Sequence, residues 1–258
     1  MLFKYWVVCF LLFILFIQAR ASSFMPAVTN YLAKDYEAGY QNWACAQGSN
    51  GEMYFGNSQG LLVYDGYRWT LHKVPGNHIV RSVYVKEDRI YVGAFEEFGY
   101  FKYSEAGTLR YHSLSKFLKN FPMENNEIWN IVELDGRIYF QSFSAWFSYD
   151  GKMVHAFRNR QQQPLYFYTQ NGHIYTQMID EDFYEFDGKD FLHLFPRSQV
   201  NDDNVVALLP DGDDSFLMVT ENNGLFRYNG DITPWKTDID AELKKQRVNR
   251  AVMTNDSI

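Results

Sequence analysis

The sequence predicts an all-β chain, a propeller of four-stranded antiparallel blades, and three observations carry that prediction. The first is the stretch from Gly51 to Gly66, GEMYFGNSQGLLVYDG. Its runs Met53-Tyr54-Phe55 and Leu61-Leu62-Val63-Tyr64 flank the turn formers Gly56-Asn57-Ser58-Gln59-Gly60, and Asp65-Gly66 closes the unit. Alternating apolar and aromatic runs bounded by Gly and Asn are the sequence form of a β-hairpin. The second is recurrence, because the pattern returns over 88–107, 136–151, 172–188 and 214–230. The closing glycines Gly66, Gly107, Gly151, Gly188 and Gly230 stand roughly 37 to 44 residues apart, the spacing of propeller blades. The third is that each hairpin has an apolar run before it and an anchored run after it, making four strands. A lone hairpin has one apolar face and nothing to bury it against; repeated units bury each other.

The chain has 258 residues, enough for a large single all-β domain, and 18% of them are aromatic, with 19 Tyr and 22 Phe. Flat rings pack well on a pleated surface. The net charge is −7, so the surface repels a phosphate backbone and direct nucleic-acid contact by this segment is not expected.

Residues 1–21 read as an export signal. Lys4 supplies the positive start, Tyr5 to Ile17 an apolar run, and Ala19-Arg20-Ala21 a small-x-small cleavage site. The competing reading is a retained membrane anchor, but an apolar run of about 13 residues is short of the ~20 that a spanning helix needs. With Cys9 in that segment, Cys45 is the one thiol of the mature chain. Between Ala44 and Ala46 on a strand, it reads as a small buried hydrophobe.

Residues 22–40 form an extended lead-in against the first blade. The blades then cover 41–76, 77–124, 125–162, 163–201 and 202–245, with the start of a sixth over 246–258. Inner strands are expected at Asn42–Gln47, Ile79–Val85, Ile128–Val132, Leu165–Tyr168 and Val205–Leu209, the later ones being the most apolar runs, as for strands packed on both faces near the ring centre. Outer strands carry Trp69, Tyr111, Val154, Phe191 and Trp235 as anchors, and one helical turn is expected at 114–119. A sixth inner strand should begin at Val248–Met253, with Asn255-Asp256 in its turn. A chain ending inside a blade implies a fragment, hence an open arc and not a closed ring.

The opening signature also carries a family resemblance. Gln41-Asn42-Trp43, Asn50-Gly51, Tyr54-Phe55-Gly56-Asn57, Gly60-Leu61-Leu62 and Tyr64-Asp65-Gly66 resemble the start of the periplasmic sensor region of Bacteroidetes two-component regulator propeller proteins. The resemblance covers essentially the whole mature segment, most closely the first blade. Later blades depart from it: Gly56 is matched by Gln141 in the third and Gln177 in the fourth, where the hairpins should bend differently. It implies a periplasmic propeller, often of seven blades, followed by a triple-tyrosine β-sandwich, a membrane helix, and a histidine-kinase or LuxR-type transcriptional output that this chain does not contain. It further implies a homodimer in the full-length protein and a stimulus such as an oligosaccharide or other small ligand. This step is analogy.

Motifs for chemistry are sparse. The six His residues stand apart without metal-ligand spacing, and neither a G-x-S-x-G elbow nor a phosphate loop occurs. Asp180-Glu181-Asp182 and Asp211-Gly212-Asp213-Asp214 lack the ligand register of a calcium loop and read as solvated turns. No catalytic residue, cofactor or metal is therefore expected. Exposed rings near the channel rim could stack a sugar or another flat ligand, and the candidates are Phe95, Phe98, Trp146 and Phe183, each with interblade packing as the alternative. The expected function is ligand sensing for a membrane-spanning signalling protein. Alternatives are a secreted polysaccharide lyase or glycosidase, needing convergent carboxylates or His/Tyr pairs, and a protein-interaction scaffold.

Overall fold

The computed structural model describes residues 28–254 apart from 120, 124, 159–161 and 214, so the export segment and the Asn255-Asp256 turn lie outside the described residues. The chain divides at Leu32, and the larger unit, Ala33–Ile258, carries the strands. Five four-stranded antiparallel sheets follow one another, each with its strands in sequence order. The first is β1 (Asn42–Gln47), β2 (Met53–Asn57), β3 (Gly60–Tyr64) and β4 (Trp69–His72). The second is β5 (Val80–Lys86), β6 (Arg89–Ala94), β7 (Phe98–Tyr103) and β8 (Leu109–Ser113). The third is β9 (Asn130–Leu134), β10 (Arg137–Gln141), β11 (Trp146–Tyr149) and β12 (Val154–Phe157). The fourth is β13 (Pro164–Gln170), β14 (His173–Met178), β15 (Phe183–Phe186) and β16 (Phe191–Phe195). The fifth is β17 (Val205–Pro210), β18 (Phe216–Thr220), β19 (Leu225–Tyr228) and β20 (Ile232–Trp235). First strands pack in series, β1 on β5, β5 on β9, β9 on β13 and β13 on β17, as in the radial blades of a propeller.

The closing turns explain why an aromatic-Asp-Gly tripeptide recurs. Asp65, Asp150 and Asp187 each accept, through one carboxylate oxygen, the backbone N–H groups two and three residues on, at 2.6–2.9 Å. The glycine between them takes φ of 93–95°, a region that a Cβ disfavours. Tyr64 and Tyr149 complete the device by donating their hydroxyls to the Gly66 and Gly151 carbonyls at 2.9 and 2.8 Å.

The hairpin turn of the first blade is tighter than the five residues expected. Asn57 pairs with Gly60, which leaves only Ser58-Gln59 in the turn. The fully buried Asn57 side chain ties the lead-in to the blade, donating to the Gly39 carbonyl at 2.7 Å and accepting from the Gly39 N–H at 3.0 Å. Nearby, Tyr36 of the short helix α1 (Ala33–Tyr36) packs its ring 5.5 Å from that of Trp69.

Gly56, Gly93, Gln141 and Gln177 occupy one position, where a blade meets the start of the next. A Cβ on Gly56 would lie 2.8 Å from the Val80 carbonyl, so the first two blades approach there by having no side chain. The third and fourth bridge instead: Gln141 Nε2 donates to the Pro164 carbonyl at 2.9 Å, while Gln177 donates to the Asp203 carbonyl and accepts from the Val205 N–H. The substitution therefore changes how blades are joined.

Several expectations need correction. The two middle strands of a blade, not the first, are the most buried: β18 and β11 are buried throughout and β3, β6, β10 and β14 nearly so, whereas β1 is exposed or half-buried along its length. A middle strand has strands on both edges and blades on its faces, and a first strand leaves one edge toward the axis. Cys45 is exposed, not buried, because Ala44 and Ala46 take the face toward the second blade and Cys45 the opposite one. Besides the 3-10 turn Ser115–Phe117, there are others at Pro75–Asn77 and Arg197–Val200, and a helix α2 (Asp240–Lys245). Residues 248–253 form no strand; Val248, Ala251 and Met253 pack against the core of the fifth blade, the cluster of Ala207, Leu209, Leu217, Val219 and Leu225. A strand needs a hydrogen-bonded neighbour, and 248–253 has none of its own length among the described residues.

Candidate ligand-binding site

The site is built by β-bulges at the head of the first strands. Pairing of β1 with β2 shifts between Asn42 and Ala44, leaving Trp43 without an opposite residue. The same irregularity isolates Arg81 between Val80 and Ser82, Leu165-Tyr166 between Pro164 and Phe167, and Val206 between Val205 and Ala207. A bulge inserts one residue, twists the strand and re-aims the side chain. In the first, second and fourth blades it sets Trp43, Arg81 and Tyr166 at this position, and Trp129 stands just before the first strand of the third.

Those side chains meet. The Arg81 guanidinium carbon lies 3.7 Å from the Trp43 ring centroid and 4.8 Å from that of Trp129. Trp129 stacks with Phe143 at 5.7 Å, Phe143 meets Tyr166 edge-on at 5.7 Å, and Arg250 lies 4.7 Å over Tyr166. The result is a continuous ladder, Trp43–Arg81–Trp129–Phe143–Tyr166–Arg250, that crosses four blades. Arg81 Nε donates to Glu127 Oε1 at 2.6 Å, while its Nη1 is buried without an acceptor among the described residues. Trp43 remains 37% exposed, and Arg250 is exposed with no carboxylate paired to it among the described residues.

Beside the ladder opens a hollow of about 210 Å³ lined by Phe95, Asn125, Glu127, Trp129, Ser142, Phe143 and Ser144. Its wall is pre-set. Buried Asn126 accepts the Ser142 and Ser144 hydroxyls at 2.5 and 2.8 Å, and its carbonyl accepts the Glu96 N–H at 2.8 Å. Phe95 joins it through a backbone bridge to Glu127 and a ring contact with His78 at 5.7 Å. The arrangement offers half-buried aromatic faces, a guanidinium, a carboxylate and hydroxyls in one cleft, the components that hold a polar ring compound by stacking and hydrogen bonds.

Of the four rings singled out from the sequence, Phe95 lies in this hollow. The other three are interblade core. Phe98 is fully buried against Phe140 and Phe147 at 4.6 and 4.9 Å; Trp146 is 4% exposed beside Phe191 at 5.2 Å; Phe183 is buried against Phe195 at 4.8 Å. A ring covered by neighbours of its own blade and the next has no face free for a ligand. Sequence reading missed Trp43, Arg81, Trp129, Tyr166 and Arg250 as a set. The available signal was the place of Trp43, Arg81, Trp129 and Tyr166, each at or beside the head of a first strand; Arg250 lies outside the strands and carried none.

Among the described residues no three His, Cys, Asp or Glu side chains gather as metal ligands. Asp182 accepts from His193 and from the Arg197 N–H, and Asp211 pairs with Arg227, so both acidic turns have protein partners. Among the described residues no helix is long and apolar enough to cross a membrane.

Fold and blade arrangement define the class: the chain is a β-propeller. Solved structures make the likeness specific. The extracellular domain of a protein described as a hybrid two-component system from B. thetaiotaomicron superposes with TM-score 0.57 at 18% identity, over 76% of this chain and 27% of that one. A second such domain from the same organism gives 0.55 at 14% identity, over 93% and 31%. Virginiamycin B lyase from Staphylococcus aureus gives 0.60 at 13% identity, over 80% and 72%. At these identities the likeness is one of fold, and the chain spans about a quarter of the first of these structures. No family model and no curated protein matches the sequence.

Proposed function

We propose that the chain is the ligand-sensing propeller of an exported, membrane-linked signalling protein, working on the periplasmic side without catalysing a reaction. The observation that carries this reading is the ladder, which presents aromatic faces and two guanidinium groups across four blades. Its fold is shared with the extracellular domains of two-component systems, which supports the same reading. A ligand seated across several blades interacts with all of them at once, so its binding energy biases one arrangement of blades and attached domains. The cleft suits a small polar ring compound, such as an oligosaccharide, with an acceptor for Arg81 or Arg250.

The fold is also shared with a lyase, but the groups at the ladder are stacking rings and cations, and its one carboxylate, Glu127, is engaged by Arg81. The test is a calorimetric screen of glycan fragments, neutral and acidic, against the chain and its Arg81→Ala and Tyr166→Ala variants. Saturable binding that both variants abolish, with no product formed on prolonged incubation, is the expected result. Turnover of a bound fragment would replace the sensor with an enzyme.

A further inference from the structure

We infer that the outer edge of the third blade receives an extended acidic and apolar segment of a partner protein, which adds a strand to β12. The phase of the edge is set by the turn before it. Asp150 N–H donates to the Met153 carbonyl, making that a hydrogen-bonded pair. Antiparallel alternation then assigns the bonds of β11 to His155 and Phe157, opposite Ser148 and Trp146. The backbone groups of Val154 and Ala156 are left pointing out of the sheet, which ends at β12. By contrast, the edge strand of the fifth blade, β20, carries Pro234, a residue that blunts strand addition.

Hollows lie beside this edge on both faces. One, of about 480 Å³, is lined by Phe117, Leu118, Phe121, Met153 and Val154, with Phe117 56% and Met153 59% exposed. The other, of about 390 Å³, sets the rings Trp146, Phe157 and Phe191 among the polar side chains of Arg158, Gln162 and Asp190, and there the indole N–H of Trp146 is buried without an acceptor among the described residues. An added strand sends alternate side chains to opposite faces, so one extended peptide reaches both.

Charge names the partner's chemistry. Lys119 and Lys152 line the first hollow and Arg158 the second, and none of the three forms an ion pair among the described residues, in a chain whose net charge is −7; Lys189 and Asp190, also at the second, pair with each other at 3.4 Å. Arg158 instead stacks 4.5 Å over Phe121. Cations beside the exposed apolar side chains of the first hollow fit alternating acidic and apolar side chains. Concave hollows fit inserted side chains better than the flat surface of a lipid bilayer.

The test titrates short labelled peptides alternating Glu with Phe or Leu into the chain, followed by anisotropy. Matched peptides with Lys for Glu, and vesicles of equimolar phosphatidylcholine and phosphatidylglycerol, are the comparisons. The Glu peptides should bind and the Lys peptides should not. Ala156→Pro, which removes an outward N–H, and the double reversal Lys119→Glu/Lys152→Glu, which leaves the fold untouched, should each weaken binding about tenfold or more. Absence of binding by every Glu peptide, equal binding of the Lys peptides, indifference to the double reversal, or binding to vesicles alone would overturn the inference.

Discussion

The guanidinium of Arg81 sits 3.7 Å over the Trp43 ring, joining the first blade to the second, and reaches the third through Trp129 at 4.8 Å and Glu127 at 2.6 Å. With its side chain 13% exposed, it is held by stacking and by one charged hydrogen bond at once. Arg81→Ala should uncover both indoles and leave Glu127 unpaired. The expected cost is about 1–3 kcal/mol by urea unfolding, with a red shift of the tryptophan emission. Arg81→Lys keeps the charge but not the planar stack, and should recover only part of the loss.

The interblade position predicts opposite sensitivities. Gly56→Ala puts a Cβ 2.8 Å from the Val80 carbonyl, and should destabilise by about 1–3 kcal/mol through overpacking. Gln177→Ala removes volume, yet leaves the Val205 N–H without its acceptor and the Asp203 carbonyl with only the longer bond from Arg197, at a similar cost of about 1–3 kcal/mol. Denaturant titration of both variants checks the pair; a neutral Gln177→Ala would show that the bridge is dispensable.

Asp203 is a pH-sensitive joint. Burial pushes its carboxyl up, but the Asn222 N–H, the Asn223 amide and the Asn204 N–H all donate to it and hold its pKa below the ordinary carboxylate range. A pKa lowered by folding gives stability that is present above the unfolded value, near 3.9, and lost as pH falls through the folded one. Asp65, Asp150 and Asp187 share this sign, each lowered by backbone N–H groups in its closing turn. Acid unfolding should therefore steepen below about pH 4. Asp203→Asn should be less stable than the parent at neutral pH, with the gap closing toward pH 2, as thermal melts across that range will read.

Tyr54 tests the opposite sign. Burial and then the Glu52 carboxylate, which accepts its hydroxyl at 2.6 Å, push its pKa up to about 12. Glu52→Gln removes the charge, and the Tyr54 ionisation should move down toward 10 in an alkaline absorbance titration.

Cys45 on the outward face of β1 should react with a thiol reagent in the native state. In a Cys9→Ser background, labelling without denaturant at a rate near that of the unfolded chain is the expected outcome. Protection would mean that the face is covered in solution.

The blade count and the positions of most strands were legible in the sequence because they rest on local physics. Alternation sets the strands, an Asp side chain folds back on its own turn, and a glycine takes φ near 94° at four of the five closing turns, all within a few residues. Tertiary structure decided which side chains form the site. One inserted residue at the head of a strand turns Trp43, Arg81 or Tyr166 to a new direction, and hydropathy alternation does not mark a bulge. It also decided that Phe98, Trp146 and Phe183 are core while Trp129 and Phe143 stay half open. Whether a ring is covered depends on the neighbouring blade, supplied by residues some tens of positions away, and only the packed blades bring that cover into place.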